Sequence, residues 1–293
     1  SRSVIYTICH VLIILYYWFV VNGNSYIISM FPDNKFEMNI WRAYITNIDP
    51  AMLGKIESDA QRYDIHKQIV PIINQALINT SKMELSHNSF ISATNGLSEK
   101  VADQLGQEID VEIMLYLGLC NGAGWATTLG GKNVILLGIE KIIELDWCDE
   151  KSISTLIYHE LGHIWHNSTR NPYYSTNVCG EKSLWQLYQE GIAMYCEQLL
   201  SDDFNYSQRD KNGWLDWCLE NEVSIKKDYW GRIRNSESTQ DFFGDWCEYL
   251  NYSDVGYFLG CQFVKFMLEK YTLKKIAIMN TTELSIEFNN YVA

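Results

Sequence analysis

Residues 155 to 167 read TLIYHELGHIWHN and hold three of the chain's six histidines, His159, His163 and His166, with Glu160 beside the first. In a helix, residues four apart face the same way, about 6 Å apart along the axis, so His159 and His163 are placed to grip one metal ion. Glu160 projects from the neighbouring face, within reach of a water on that ion. This is the arrangement behind the H-E-x-x-H pattern of zinc hydrolases. Leu156, Ile157 and Ile164 can bury the back of such a helix, and Leu161 and Gly162 bring no competing charge. His166 lies about 20° from His159 around the helix but about 10 Å along it, too far for both to bond one ion at about 2 Å. It is expected on the cleft wall or as an outer partner of a ligand.

Two histidines leave a metal short of ligands. The longer pattern H-E-x-x-H-x-x-G-x-x-H cannot supply the third, because position 166 is histidine rather than glycine and position 169 is threonine. A carboxylate from another helix remains. Glu190, in YQEGIAMYCE, stands in an otherwise apolar helical stretch where Gly191 and Ala193 permit close approach. A buried carboxylate without a partner costs several kcal/mol, so its place on a packing face calls for a cation. The 26 residues between His163 and Glu190 are turn-rich and long enough to reverse the chain. Three ligands leave the fourth position open, the mark of catalytic rather than structural zinc. Glu197, on the same face further along, is placed either to hold the other nitrogen of a ligand histidine or to form a surface salt bridge.

HELGH followed by EGIA resembles the gluzincin group of metallopeptidases, in which a glutamate on a second helix is the third ligand. With the downstream YFLGCQFV, the chain is most similar to the YjaZ-like zinc-dependent peptidases, over residues 110 to 270 and in three short motifs. The spacing from His163 to Glu190 is longer than in thermolysin-like or aminopeptidase-like members. The resemblance implies Zn²⁺ held by His159, His163 and Glu190, Glu160 as general base, and a peptide or protein substrate. It makes Tyr257 of DVGYFLG the donor to the oxyanion, with Tyr252 as rival. It also implies a strand along the cleft, for which Gly124 to Thr127 of GAGWATTLG, with Trp125 and Ala126 at its centre, is the candidate; a plain hairpin connection is the other reading. The alternative function is a non-catalytic zincin-like binding protein, possible with a membrane tether. Intact Glu160 argues against it, since a binder needs the ligands and not the base.

Holding these residues requires two long helices and a strand. The expected fold is α+β and zincin-like, predominantly helical with a small sheet bordering the site. FEMNIWRAYI reads as a first strand, and residues 49 to 81 as helices with Pro71 near a helix start. Residues 81 to 108 are poorly periodic. VEIMLYLGL and NVILLG read as strands, GIEKIIELDW as a helix, and about 150 to 167 as a helix capped by Asp149 or Ser152. A further helix covers EKSLWQLYQEGIAMYCEQLL, and residues 201 to 293 are mostly helical in pattern. The expected divisions are an apolar segment 1–30, a helical or mixed part 31–105, a catalytic core 106–200 and a helical part 201–293.

With 36 acidic against 23 basic residues and a net charge of -13, the chain repels phosphate backbones, which excludes nucleic acid as a partner. Its 47% apolar content supports a substantial core. The eight cysteines are scattered without a C-x-x-C pair and read as reduced. Val4 to Val21 is an uncharged apolar run for which three readings stand: a signal-peptide core, a membrane anchor, or a non-native extension ahead of Met30 or Met38. A membrane partner enters only through residues 4–21. Localisation follows the same fork: cytoplasmic if residues 1–30 are not native, anchored or exported otherwise.

Overall fold

Apolar residues three and four apart set most of the architecture. The computed structural model describes residues 11–13, 26–170, 178–206, 209–244 and 246–293. The chain divides into two units, Ser1–Glu160 and Leu161–Ala293.

The first unit opens with a three-residue strand β1 (Val11–Ile13) and helices α1 (Tyr26–Met30), α2 (Met38–Ile48) and α3 (Pro50–Ala60). The rest of the Val4–Val21 run lies outside the described residues. Among those described, no helix is long and apolar enough to cross a membrane. The strand expected at FEMNIWRAYI is α2 instead. Trp41, Tyr44, Ile45 and Ile48 are its buried residues, spaced at three and four, so the helical period prevails over the strand preference of the residue types. A π-turn, Ile65–Ile69, leads into α4 (Val70–Ile78), which starts with Pro71 in its first turn as expected. Residues 81 to 108 are helical too, as α5 (Thr80–Thr94) and α6 (Leu97–Leu105). Their boundaries come from local capping: Asn79 accepts the Lys82 N–H, and Gly96 and Gly106 take left-handed conformations at either end of α6.

Strands β2 (Val111–Tyr116), β3 (Gly124–Leu129) and β4 (Lys132–Gly138) complete a sheet of order β1-β2-β4-β3. β1 and β4 run parallel to β2, and β3 runs antiparallel to β4 with Ala126 opposite Ile135. Gly130 and Gly131 both have positive φ, 55° and 85°, which suits the two-residue turn joining β3 to β4. β2 and β4 are nearly continuous buried runs, while β3 is half-exposed at the sheet edge. Helix α7 (Ile139–Glu144) follows. α8 (Glu150–Thr169) is started by Asp149, whose Oδ1 accepts the Ser152 N–H at 3.0 Å.

The division at Glu160 falls inside α8, which runs through it unbroken. The second unit contains the end of α8, then α9 (Cys179–Ser201), α10 (Trp214–Asn235), α11 (Val255–Leu268), α12 (Leu273–Ala277) and α13 (Thr281–Val292). Its helices pack through glycine. A Cβ at Gly162 would lie 2.7 Å from the Ala193 Cα, and one at Gly191 would lie 2.2 Å from the Gly260 carbonyl oxygen. Rings of Tyr229, Phe242, Phe263 and Phe288 fill the space behind. The seven described cysteines are all free. Over the described residues the fold is thus α+β, mostly helical with one small sheet.

Candidate metal centre

α8 presents His159 and His163 one turn apart, and α9 presents Glu190. One ligand atom from each of the three lies within 4.8 Å of the others. His163 Nε2 lies 3.3 Å from Glu190 Oε2. Two ligands bonded to a tetrahedral zinc at about 2.0–2.2 Å stand about 3.4 Å apart, so this pair already has the separation that a shared ion requires. Two imidazoles and a carboxylate are also a donor set suited to zinc. His159 is buried, whereas the side chains of His163 and Glu190 keep 18% and 19% of their surface. That exposure leaves a way in for a cation and a water.

The close approach of the α9 backbone is what brings Glu190 here. Gly162 lies one residue before His163 and Gly191 one after Glu190, and neither site has room for a side chain. These glycines therefore flank two of the three side chains that could hold an ion.

Glu160 packs against strand β3 of the sheet. Its Oε2 accepts the Ala126 N–H at 2.7 Å, and a Cβ at Gly124 would lie 2.6 Å from its Oε1. The segment Gly124 to Thr127 is strand β3, not a bare connection. Trp125 in that strand carries the Lys55 ammonium 5.5 Å from its ring centre, and Lys55 also donates to the Thr128 carbonyl at 3.5 Å.

His166 does not join the three. Its Nε2 is 3.1 Å from the Ala277 carbonyl, its ring meets Tyr188 edge-on at 4.9 Å, and it is buried. Burial, with help from the nearby His163 and Arg170, lowers its pKa to about 3, so it is neutral at ordinary pH. It is a core histidine rather than part of a cleft wall. Glu197 is buried and forms an ion pair with Arg209 at 3.3 Å, so the salt bridge expected at the surface lies in the interior. The Arg209 guanidinium stands 4.5 Å over the Tyr257 ring, which also meets Phe243 at 5.8 Å. Tyr252 stacks on Trp217 at 4.1 Å and bridges to Tyr249.

The side chains of Arg209, Glu140 and Glu287 are buried charged groups that the sequence pattern does not single out. Arg209 lies in a polar connection before α10, where nothing in the pattern marks a buried cation. Glu140 lies between Ile139 and Ile142 of α7, and is buried with its carboxylate on the amides of Gly118 and Cys120. A glutamate inside so apolar a run, LLGIEKIIEL, was the available signal.

Compared with family models, curated proteins and solved structures, the chain has no match.

Proposed function

We propose that the chain is a zinc-dependent peptidase of zincin type, with Glu160 as the general base for attack of water on a peptide carbonyl. The observation that carries this reading is the convergence of His159, His163 and Glu190, with ligand atoms within 4.8 Å of one another, beside a glutamate that is not itself a ligand. A bound Zn²⁺ there supplies a Lewis acid and lowers the pKa of its water towards about 7.

Glu160 is next in the chain to the first ligand, where its carboxylate can take the proton of the attacking water and return it to the leaving amine. The Ala126 amide fixes one carboxylate oxygen at 2.7 Å. Gly124, having no side chain, leaves space at the other. β3 is an edge strand, and an extended peptide can pair with such an edge through its main chain. Tyr257 is the candidate donor to the oxyanion, its ring held between Phe243 and Arg209. Acidic composition disfavours nucleic acid and favours neutral or basic peptides.

The decisive experiment is Glu160→Gln in protein reconstituted with zinc. Removing a general base costs on the order of 10²–10⁴ in rate. The variant should therefore keep wild-type zinc stoichiometry by elemental analysis and lose at least about 10² in peptide turnover. Unchanged turnover would end the mechanism, and wild-type protein that retains no stoichiometric metal after dialysis would end the metal site.

A further inference from the structure

Glu140 is buried and takes no part in the metal centre. Its Oε2 accepts the Gly118 N–H at 2.8 Å and its Oε1 the Cys120 N–H at 2.9 Å. Glycines make the room: a Cβ at Gly118 would lie 2.7 Å from that Oε1, and one at Gly138 3.1 Å from it. Burial raises the Glu140 pKa, and the two amides work against that rise by stabilising the charged form.

The turn so held is gripped from other sides as well. The Tyr44 hydroxyl accepts the Leu117 N–H at 3.2 Å, and the Trp41 Nε1–H donates to the Leu117 carbonyl at 2.9 Å. Asn121 donates to the Ile56 carbonyl at 3.0 Å and to Asp59 at 2.9 Å. Cys120 has φ of +57°, a conformation that a side-chain-bearing residue keeps only where its surroundings fix it. Its N–H is one of the two bonded to Glu140. A few residues later the Ala123 carbonyl accepts the Gly138 N–H at 3.0 Å. β3 then begins, and its Ala126 N–H meets Glu160.

From this series of bonds we propose that Glu140 is a positioning residue for Glu160: by clamping residues 118 to 120 it sets where β3 starts, and so where the Ala126 amide holds the general base. Hydrogen bonds to an ionised acceptor are stronger and shorter than neutral ones, which suits a carboxylate to the task. The effect on turnover rests on the reading of Glu160 as base; the effect on β3 does not.

The test is Glu140→Gln, of nearly the same shape, which turns an amide nitrogen towards one of the two N–H groups. In zinc-loaded protein we expect kcat to fall about tenfold or more, with KM and zinc content as in the wild type. Hydrogen–deuterium exchange should quicken about tenfold or more in residues 124–129 as well as in 117–123. A fall in melting temperature alone, with wild-type kcat per folded molecule and unchanged exchange at 124–129, overturns the proposal. Glu140→Asp, which draws the carboxylate back by one methylene, is the second variant if the first does not fold, with the same two outcomes. If wild-type protein cleaves no peptide, the assignment of Glu160 falls, and exchange at 124–129 still decides whether Glu140 positions the strand.

Discussion

His163 and His166 stand three residues apart on one helix and have opposite surroundings. His163 faces Glu190 and solvent, while His166 is enclosed by Tyr188, Trp185 and the Ala277 carbonyl. With its pKa lowered to about 3, His166 stays neutral in the folded chain, whereas the unfolded chain takes up the proton below about 6.5. Its contribution is therefore complete above pH 6.5 and is lost progressively as pH falls towards 3, at up to about 1.4 kcal/mol per pH unit. Urea unfolding of metal-free protein at pH 7 and pH 5 should show a loss that is smaller by about 2 kcal/mol in His166→Gln. Equal losses in both proteins would mean that the histidine does not carry the effect. At this scale the grouping of His159, His163 and Glu190 was legible, because a four-residue spacing and one carboxylate among apolar neighbours are local signals. The Glu197–Arg209 pair was not, because its cation comes from a polar connection with no pattern of its own.

The same contrast holds for whole elements. α8 and α9 were legible as helices from their apolar period, and β2 and β4 from short apolar runs between turns. α2 reads as a strand by residue type, because Ile, Trp and Tyr favour strands, while its buried positions follow a helical period. α5 shows little contrast between its faces, and tertiary packing, not pattern, keeps it in place, whereas α6 does carry an apolar stripe at Leu97, Val101 and Leu105. How closely α9 and α11 approach is a separate matter, decided by Gly191 and Gly260. A Cβ at Gly260 would lie 2.4 Å from the Leu187 carbonyl oxygen, so in both helices the obstacle is backbone that cannot swing aside. Gly191→Ala should force the helices apart, cost about 1–3 kcal/mol or more in chemical denaturation, and weaken zinc binding through the neighbouring Glu190. Gly231→Ala on α10 is the control. Nothing lies within 4 Å of its Cβ position, so it should stabilise the protein by about 0.5–1 kcal/mol. A Gly191→Ala protein as stable as wild type would show that this close approach is not required.

For the molecule as a whole, a metal ion held by His159, His163 and Glu190 would be a ligand of the folded state, and its binding would have to appear in global stability. The spacing of His159 and His163 is fixed by the hydrogen bonds of one continuous helix, and Glu190 has to be brought to them by folding. An ion present at a hundred times its Kd for the folded chain stabilises it by about 2.7 kcal/mol, or about 4 °C in Tm for a chain of this size. The net charge of -13 raises a competing effect, since any divalent cation relieves self-repulsion on so acidic a surface. Magnesium at equal concentration measures that contribution, because a site of two imidazoles and one carboxylate does not suit it. Zinc should raise Tm well beyond magnesium in the wild type, and by as much in Glu160→Gln, where all three ligands remain. In Glu190→Gln the zinc shift should fall to nearly that of magnesium. If zinc and magnesium act alike in all three proteins, the cation is only screening surface charge and the three side chains do not share an ion.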